Sequence, residues 1–210
     1  MRKKIILDLC GGTGSWSKPY KEAGYDVRLI TLPDYNVLTY KPPENVYGIF
    51  AAPPCTEYSQ MNYGKDKKQL FFAFDKFKHE PNTDILNACL EIIEQCNPVF
   101  FAIENPCGIM RKYMGKPEFS FQPYEFGDGW SKKTDVWGKF NKPISTYTWE
   151  TCPKINLYIR PNRQKPSIAF FHKSAITKIP QLESFNIDSD AALRAITPPG
   201  FARAFFKANP

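Results

Sequence analysis

A cysteine set directly behind two prolines, in Ala52-Pro53-Pro54-Cys55-Thr56-Glu57-Tyr58-Ser59, is a candidate nucleophile, and the glutamate that opens Glu104-Asn105-Pro106 is a candidate acid. Each follows an apolar run, residues 46–51 and 99–103, so both groups leave the carboxyl ends of buried strands. Ligands of open α/β sheets bind at that edge. A thiol attacks only as its thiolate, and a cysteine entering a loop near strand-end dipoles and cations is placed for its pKa to fall. The paired prolines remove two backbone donors and fix an extended entry, which presents Cys55 rigidly. Cys10, Cys89, Cys96, Cys107 and Cys152 read instead as small buried hydrophobes. Glu104 ends a strongly apolar strand, where an acid must be protonated, paired or used. A salt bridge or a helix cap just past the strand is the structural alternative.

A third constellation precedes these two. Asp8-Leu9-Cys10-Gly11-Gly12-Thr13-Gly14 places three glycines in four positions between a strand and a helix, where backbone amides can approach a ligand and a helix N-terminus can face it. No Gly-Lys-Ser/Thr follows, which disfavours a phosphate-binding loop. A nucleotide-like or adenosyl cofactor remains, against a tight turn that binds nothing.

The elements that must position these groups follow from periodicity. Residues 4–9 read as a first buried strand, residues 15–23 as a helix stopped by Gly24, and residues 25–31 as a second strand. Pro19 belongs in a helix's first turn, so Ser15 or Ser17 is the cap. A short third segment covers 35–38. The stretch 61–79 mixes aromatic and basic residues and is long for a simple connection, as lids are. Residues 82–96 form the clearest helix, with Ile85, Cys89, Ile92, Ile93 and Cys96 on one stripe and Pro98 beyond its end. Residues 119–126 and 134–149 alternate like antiparallel strands around the turn 127–129, and residues 188–208 read as two helices broken at Thr197-Pro198-Pro199-Gly200. Strand, helix, strand predicts parallel winding in an α/β class.

Composition bounds the rest. With 210 residues and 42% hydrophobic content the chain can bury a full core, most economically as one domain. The formal net charge of +7 favours a polyanionic partner. Nearly all of it lies between positions 139 and 173, where seven basic residues face one acid, Glu150. Six cysteines without paired short spacing read as reduced thiols and give no zinc site, so no metal is expected. Ile5, Ile6 and Leu7 are too short an apolar run for a signal peptide or a membrane span, which predicts a cytoplasmic protein.

In order, residues 8–14, the Pro-Pro-Cys segment with Ser59 four residues on, Glu104-Asn105-Pro106, and Thr197-Pro198-Pro199-Gly200-Phe201-Ala202 resemble the cofactor, nucleophile, acid and closing motifs of the DNA cytosine-5 methyltransferases. The likeness runs from end to end and is nearest in style to short members encoded by phages and mobile elements, which would work in the host cytoplasm. It implies a Rossmann-like, mostly parallel S-adenosylmethionine-dependent fold. The core would be 1–140, a small basic target-recognition insertion 141–186, and C-terminal helices 187–210 would return beside the first motif. It implies a monomer that binds DNA or RNA and no membrane. S-adenosylmethionine would lie against Asp8, Cys10, Gly11, Gly12, Thr13, Gly14, Thr31, Asp34, Asn36 and Pro53. Cys55 would attack carbon 6 of a flipped-out cytosine while Glu104 bonds its ring nitrogen and amine. Pro54 and Asn105 would hold the two loops together, with Ser59 nearby. Lys133 stands in for an arginine motif of the family.

Arg160, Arg163 and Lys165 would meet phosphates, with Tyr147, Trp149, Tyr158, Phe170, Phe171 and His172 available for stacking. A solvated basic flap is the alternative. The chain departs from the family at Thr31, where an acid usually grips the cofactor ribose, with Asp34 as a replacement, and at Asn36, where an aspartate reads the adenine amine. The triplet also ends in Pro106, not valine. Thr31, Asn36 and the absent arginine motif favour, as rival, a nucleic-acid-binding relative without turnover. A methyltransferase acting on an exocyclic amine would carry an aromatic residue where Cys55 stands, and RNA cytosine is the nearer alternative substrate.

Overall fold

The computed structural model describes residues 3–58 and 81–210. Its centre is a six-stranded sheet in the order β2-β1-β3-β4-β6-β5. The strands are β1 (Ile5–Leu9), β2 (Asp26–Ile30), β3 (Val46–Ala51), β4 (Phe100–Pro106), β5 (Phe119–Phe121) and β6 (Thr134–Lys139). The first four run parallel, β6 runs antiparallel to β4, and β5 at the edge runs antiparallel to β6. This is the mixed α/β, mostly parallel arrangement that the sequence pattern predicts, and it is Rossmann-like, as the resemblance implies. From β1 the chain moves to one side for β2 and then crosses to the other side for β3, so a topological switch point lies between β1 and β3. The glycine turn and the Pro-Pro-Cys segment leave the sheet on its two sides, where such folds bind ligands.

Two apolar layers cover the sheet. One forms under α2 (Asp84–Cys96), whose buried stripe is Leu86, Cys89, Ile92 and Ile93. Asn97 ends that helix in the left-handed conformation, ahead of Pro98. The other layer is aromatic and lies beneath α1 (Lys18–Glu22) and α5 (Pro199–Ala208), with Trp16, Tyr20, Phe50, Phe121, Phe201 and Phe205 all buried. Phe121 and Phe201 stack with ring centroids 3.8 Å apart. Each such side chain is worth about 2 kcal/mol in burial alone. No described helix is long and apolar enough to cross a membrane.

Several sequence-based boundaries shrink. The first helix covers only Lys18–Glu22 because Pro19 must sit in its opening turn, and residues 35–38 form no strand. Pro123 cannot donate to a ladder, so β5 stops at Phe121 and Pro123–Phe126 becomes a 3-10 turn. β6 ends at Lys139, well short of residue 149. The stretch 61–79, read above as a lid, lies outside the described residues.

A third apolar cluster gathers Trp130, Leu157, Ile168, Phe171, Ile179 and Leu182 with Leu193 and Ile196. The basic segment therefore carries its own small core, and α4 (Asp190–Ala195) joins that core while α5 joins the main sheet. Ser15 Oγ accepts from the Thr197 N–H (3.0 Å) and Tyr20 donates to the Asn209 carbonyl (2.6 Å), tying the chain's end to its first motif.

The N-terminus of α5 rests on a buried acid. Asp128 accepts from the Gly200 N–H at 2.9 Å, and a Cβ at Gly200 would lie 2.1 Å from the Phe126 carbonyl, so no side chain fits there. Burial pushes the Asp128 carboxyl up to about 7, against the opposing Gly200 bond and Arg203 charge. A raised carboxyl pKa favours the fold in its protonated form, so this contribution is fully present below pH 4 and is lost as pH rises through 7. Asp128→Asn, which keeps an acceptor for Gly200, is expected to be more stable relative to wild type at pH 8 than at pH 4, by on the order of 4 kcal/mol. Urea midpoints of both proteins across that range check it, and parallel pH profiles would contradict it.

Candidate active site

The glycine turn is built over Asp8. That side chain is fully buried, its Oδ2 accepts from Ser17 Oγ at 2.5 Å, and its Oδ1 has no hydrogen-bond partner. A Cβ at Gly11 would lie 2.3 Å from Oδ1, so the acid supports the turn from beneath. Burial raises its pKa to about 6, although the Ser17 bond opposes the rise. Gly12 and Gly14 take positive φ, and the Gly14 N–H closes the turn on the Gly11 carbonyl at 2.9 Å. Cys10 turns its thiol to Cys89 on α2 and donates its backbone N–H to Ile30 at the end of β2. Gly12 is exposed and Thr13 half-buried. Asp8 and Cys10 therefore shape the turn from its inner side, and Gly11, Gly12, Thr13 and Gly14 offer backbone to a ligand.

Beyond β2, Thr31 is half-buried, whereas Asp34 and Asn36 are exposed. Asn36 Oδ1 already accepts from the Leu38 N–H at 3.0 Å, a local turn that sequence alone does not reveal. Val37 anchors this loop in the core, and Leu32, Tyr35 and Leu38 stand exposed on it. A bare glycine turn at the switch point, flanked by an apolar loop and the acceptor Asp34, fits an adenosyl cofactor.

Across the switch point, two loops are fastened to one another. Asn105 Nδ2 donates to the Pro53 carbonyl at 2.8 Å, and the Ile109 N–H donates to the Tyr58 carbonyl at 3.0 Å. Pro53, not Pro54, takes the Asn105 contact, because Pro53 is buried and Pro54 faces solvent. The sequence expectation is corrected by one residue. Ser59 lies outside the described residues.

Glu104 is 4% exposed, and the Lys132 ammonium lies 3.5 Å from its Oε1, with both side chains nearly buried. Oε1 accepts no hydrogen bond. This Oε1 is a deep acceptor whose charge is balanced but whose bonding capacity is open. Cys55, half-buried, feels both groups. Burial raises its pKa and Glu104 adds to the rise, while Lys132 pulls it down without reversing the sum. The expected fall in thiol pKa is thus not found, and Cys55 rests as a thiol.

The cation beside the acid is Lys132, the neighbour of the Lys133 that the resemblance put in place of the family's arginine motif. Lys133 is exposed, and its carbonyl receives the Cys107 N–H, extending the ladder beyond β4. The signal for Lys132 is parity. In the antiparallel register Glu104 pairs with Val136 and Asn105 with Asp135, so residues of even number on that approach share Glu104's face. On the opposite face Arg111 grips Asp135 through two bonds of 2.6 and 2.7 Å, and Ser120 adds a third at 2.6 Å.

The basic segment is tied to the same place. The Ser131 N–H donates to the Pro166 carbonyl and the Lys132 N–H to Gln122 Oε1. Arg163 and Lys165 line a groove there, and Arg160 lies over the Phe170 ring at 4.4 Å. Trp149 lies under Lys154 at 3.7 Å and Phe171 is buried, whereas Tyr147, Tyr158 and His172 are exposed. Of the six side chains named from sequence for stacking, Phe171 alone is buried, and Phe170 lines the groove. Among the described residues, no group of three or more His, Cys, Asp or Glu could hold a metal ion.

No family model matches the chain, and no curated protein matches it. Among solved structures it is similar to a mutant of Spodoptera frugiperda DNMT2, with 17% identity and a TM-score of 0.38 over 78% of this chain and 57% of that one. It is also similar to the Entamoeba histolytica methyltransferase EhMeth, with 12% identity and a TM-score of 0.37 over 80% of this chain and 58% of that one. The chain thus spans less than two thirds of the length of either structure.

Removing the Lys132 charge is expected to raise the Cys55 pKa further. In Lys132→Met, iodoacetamide labelling of the Cys55 peptide at pH 8 is expected to slow about threefold or more, with its pH profile moved upward. Mass spectrometry of that peptide across pH 7–10 checks it, and an unchanged profile would separate Lys132 from the thiol.

Proposed function

We propose that this chain is an S-adenosylmethionine-dependent methyltransferase acting on carbon 5 of cytosine in DNA through a covalent adduct at Cys55. The observation that carries the reading is the meeting of Cys55, Glu104 and Lys132 at the carboxyl edge of the sheet, where a buried Glu104 oxygen is left open to a donor. A cytosine ring offers an amine donor beside a ring nitrogen, and its carbon 6 is electrophilic only when that nitrogen is hydrogen-bonded or protonated. Glu104 in its protonated form would donate to the ring nitrogen and accept from the amine. Cys55 would give its proton to solvent water and form the sulfur–carbon 6 bond, and the electron pair of the broken carbon 5–carbon 6 π bond would make carbon 5 nucleophilic. S-adenosylmethionine, when bound against Gly11–Gly14 and the loop after β2, supplies the methyl group. Loss of the carbon 5 proton to solvent water would then restore the carbon 5–carbon 6 double bond and expel Cys55 as thiolate.

Lys132 would do two things. Its charge balances Glu104 before the base arrives, and it lowers the energy of the departing thiolate. Asn105 and Ile109 hold the thiol loop at a fixed distance from the acid. The base must leave its stack to reach so deep a carboxyl, a step typical of enzymes that modify bases. Residues 141–186, with Arg160, Arg163 and Lys165, would supply the phosphate contacts.

A second reading, a binder of the same fold without turnover, is favoured by Thr31 at the end of β2 and by the engaged Asn36 oxygen. Release of tritium from carbon-5-labelled cytosine separates the two.

With adenosylmethionine and a 5-fluorocytosine oligonucleotide, the protein is expected to form a denaturation-resistant adduct that Cys55→Ser abolishes and Glu104→Gln slows on the order of 100-fold. Gel shift and peptide mapping check it. An adduct that survives Cys55→Ser would falsify the nucleophile.

A further inference from the structure

Beside the Lys132 strand lies a concave groove of about 450 Å³, open to solvent, whose walls include Tyr124, Asn162, Arg163, Gln164, Lys165 and Phe170. Its size admits one nucleotide. Its chemistry is mixed in a particular way. Lys165 is held over the Tyr124 ring at 4.3 Å and Arg160 over Phe170 at 4.4 Å, so positive charge is anchored on the aromatic walls. Asn162 sits at the tip of the loop in a left-handed conformation (φ 67°), inside the turn closed by the Arg163 N–H on the Arg160 carbonyl. The side chains of Asn162, Arg163 and Gln164 are exposed. Amides carry a donor and an acceptor each and suit the edge of a base, whereas the cations suit its phosphate.

The groove is also rigidly linked to the proposed chemistry. Segment 166–168 pairs with Ser131 through the Ser131 N–H to Pro166 and the Ile168 N–H to Ser131, and the next residue is Lys132, against Glu104. Trp130, on the other side of Ser131, is fully buried in the small core of the basic segment. A ligand in the groove would thus lie at a fixed offset from the catalytic edge.

A concave, nucleotide-sized groove differs from the convex loops that read a paired duplex from outside. Paired bases show only their groove edges, and a duplex has no single residue to insert into a hollow. An unpaired nucleotide can be splayed outward to offer its edge and its phosphate together. Resting on the reading given under Proposed function, we infer that this groove seats one unpaired nucleotide neighbouring the reacting cytosine, so the preferred substrate strand is single-stranded or unpaired on at least one side of the target.

The test uses fluorescence anisotropy with three labelled oligonucleotides of one sequence around a central cytosine: a full duplex, the same duplex with the target's neighbours mismatched, and the single strand. The wild-type protein is expected to bind the mismatched and single-stranded forms about tenfold more tightly than the duplex. Asn162→Ala/Gln164→Ala, with a thermal midpoint equal to wild type, is expected to lose most of that preference, and Arg163→Ala is expected to weaken all three forms and reduce the salt slope. Equal wild-type affinity for the three forms, or a preference intact in the double variant, would overturn the inference. A preference that behaves as expected while no 5-fluorocytosine adduct forms would leave the groove standing and sink the methylation chemistry instead.

Discussion

A carboxyl group at the end of an apolar strand is the constraint around which this molecule is organised. Glu104 leaves β4 almost fully buried, and an isolated charge there would be strongly unfavourable. Lys132 meets it from the approach to β6, and that cation can do so only because β6 runs antiparallel to β4 in a register that pairs Val136 with Glu104. The ion pair is nevertheless incomplete. Its 3.5 Å separation balances charge without satisfying Oε1, and an acceptor left open at that depth is a place for a donor on a ligand. The same two charges act in opposite senses on Cys55.

Reactive groups on loops are useful only if the loops do not drift. The Asn105–Pro53 and Ile109–Tyr58 bonds join the two loops directly, and the Arg111–Asp135–Ser120 cluster fixes β6 from its other face. The chain's end completes the frame. α5 packs Phe201 and Phe205 on Trp16, just after the glycine turn, and Thr197 bonds to Ser15. Buried acids with raised pKa values sit at both places where the frame meets a turn, Asp8 under Gly11 and Asp128 under Gly200. They shape close backbone approaches at the expense of stability at neutral pH.

Much of this was legible in the chain because it depends on local pattern. Apolar runs that end at Leu9, Ala51 and Ile103 marked strands, the stripe on α2 marked a helix, and Pro-Pro-Gly marked the break before α5. Turn chemistry placed the glycine motif and Cys55 at one edge. What escaped was set by register and by burial. Finding Lys132 beside Glu104 needs the β4–β6 pairing, and choosing Pro53 over Pro54 needs to know which proline faces inward. The thiol's raised pKa needs the depth of its pocket, and the seat of Lys165 over Tyr124 joins residues distant in sequence.

The central claim is that sulfur and carboxyl act together on one pyrimidine ring. Addition at carbon 6 makes carbon 5 exchange its hydrogen with solvent even when no methyl donor is present, since deuteration at carbon 5 followed by loss of the original proton and expulsion of the thiolate restores the ring. Deuterium incorporation at carbon 5 of a cytosine oligonucleotide in heavy water, followed by mass spectrometry without S-adenosylmethionine, therefore tests it most directly. The account predicts incorporation by the wild-type protein and none by Cys55→Ala. Absence of exchange in the wild type, or exchange that persists without Cys55, would contradict it.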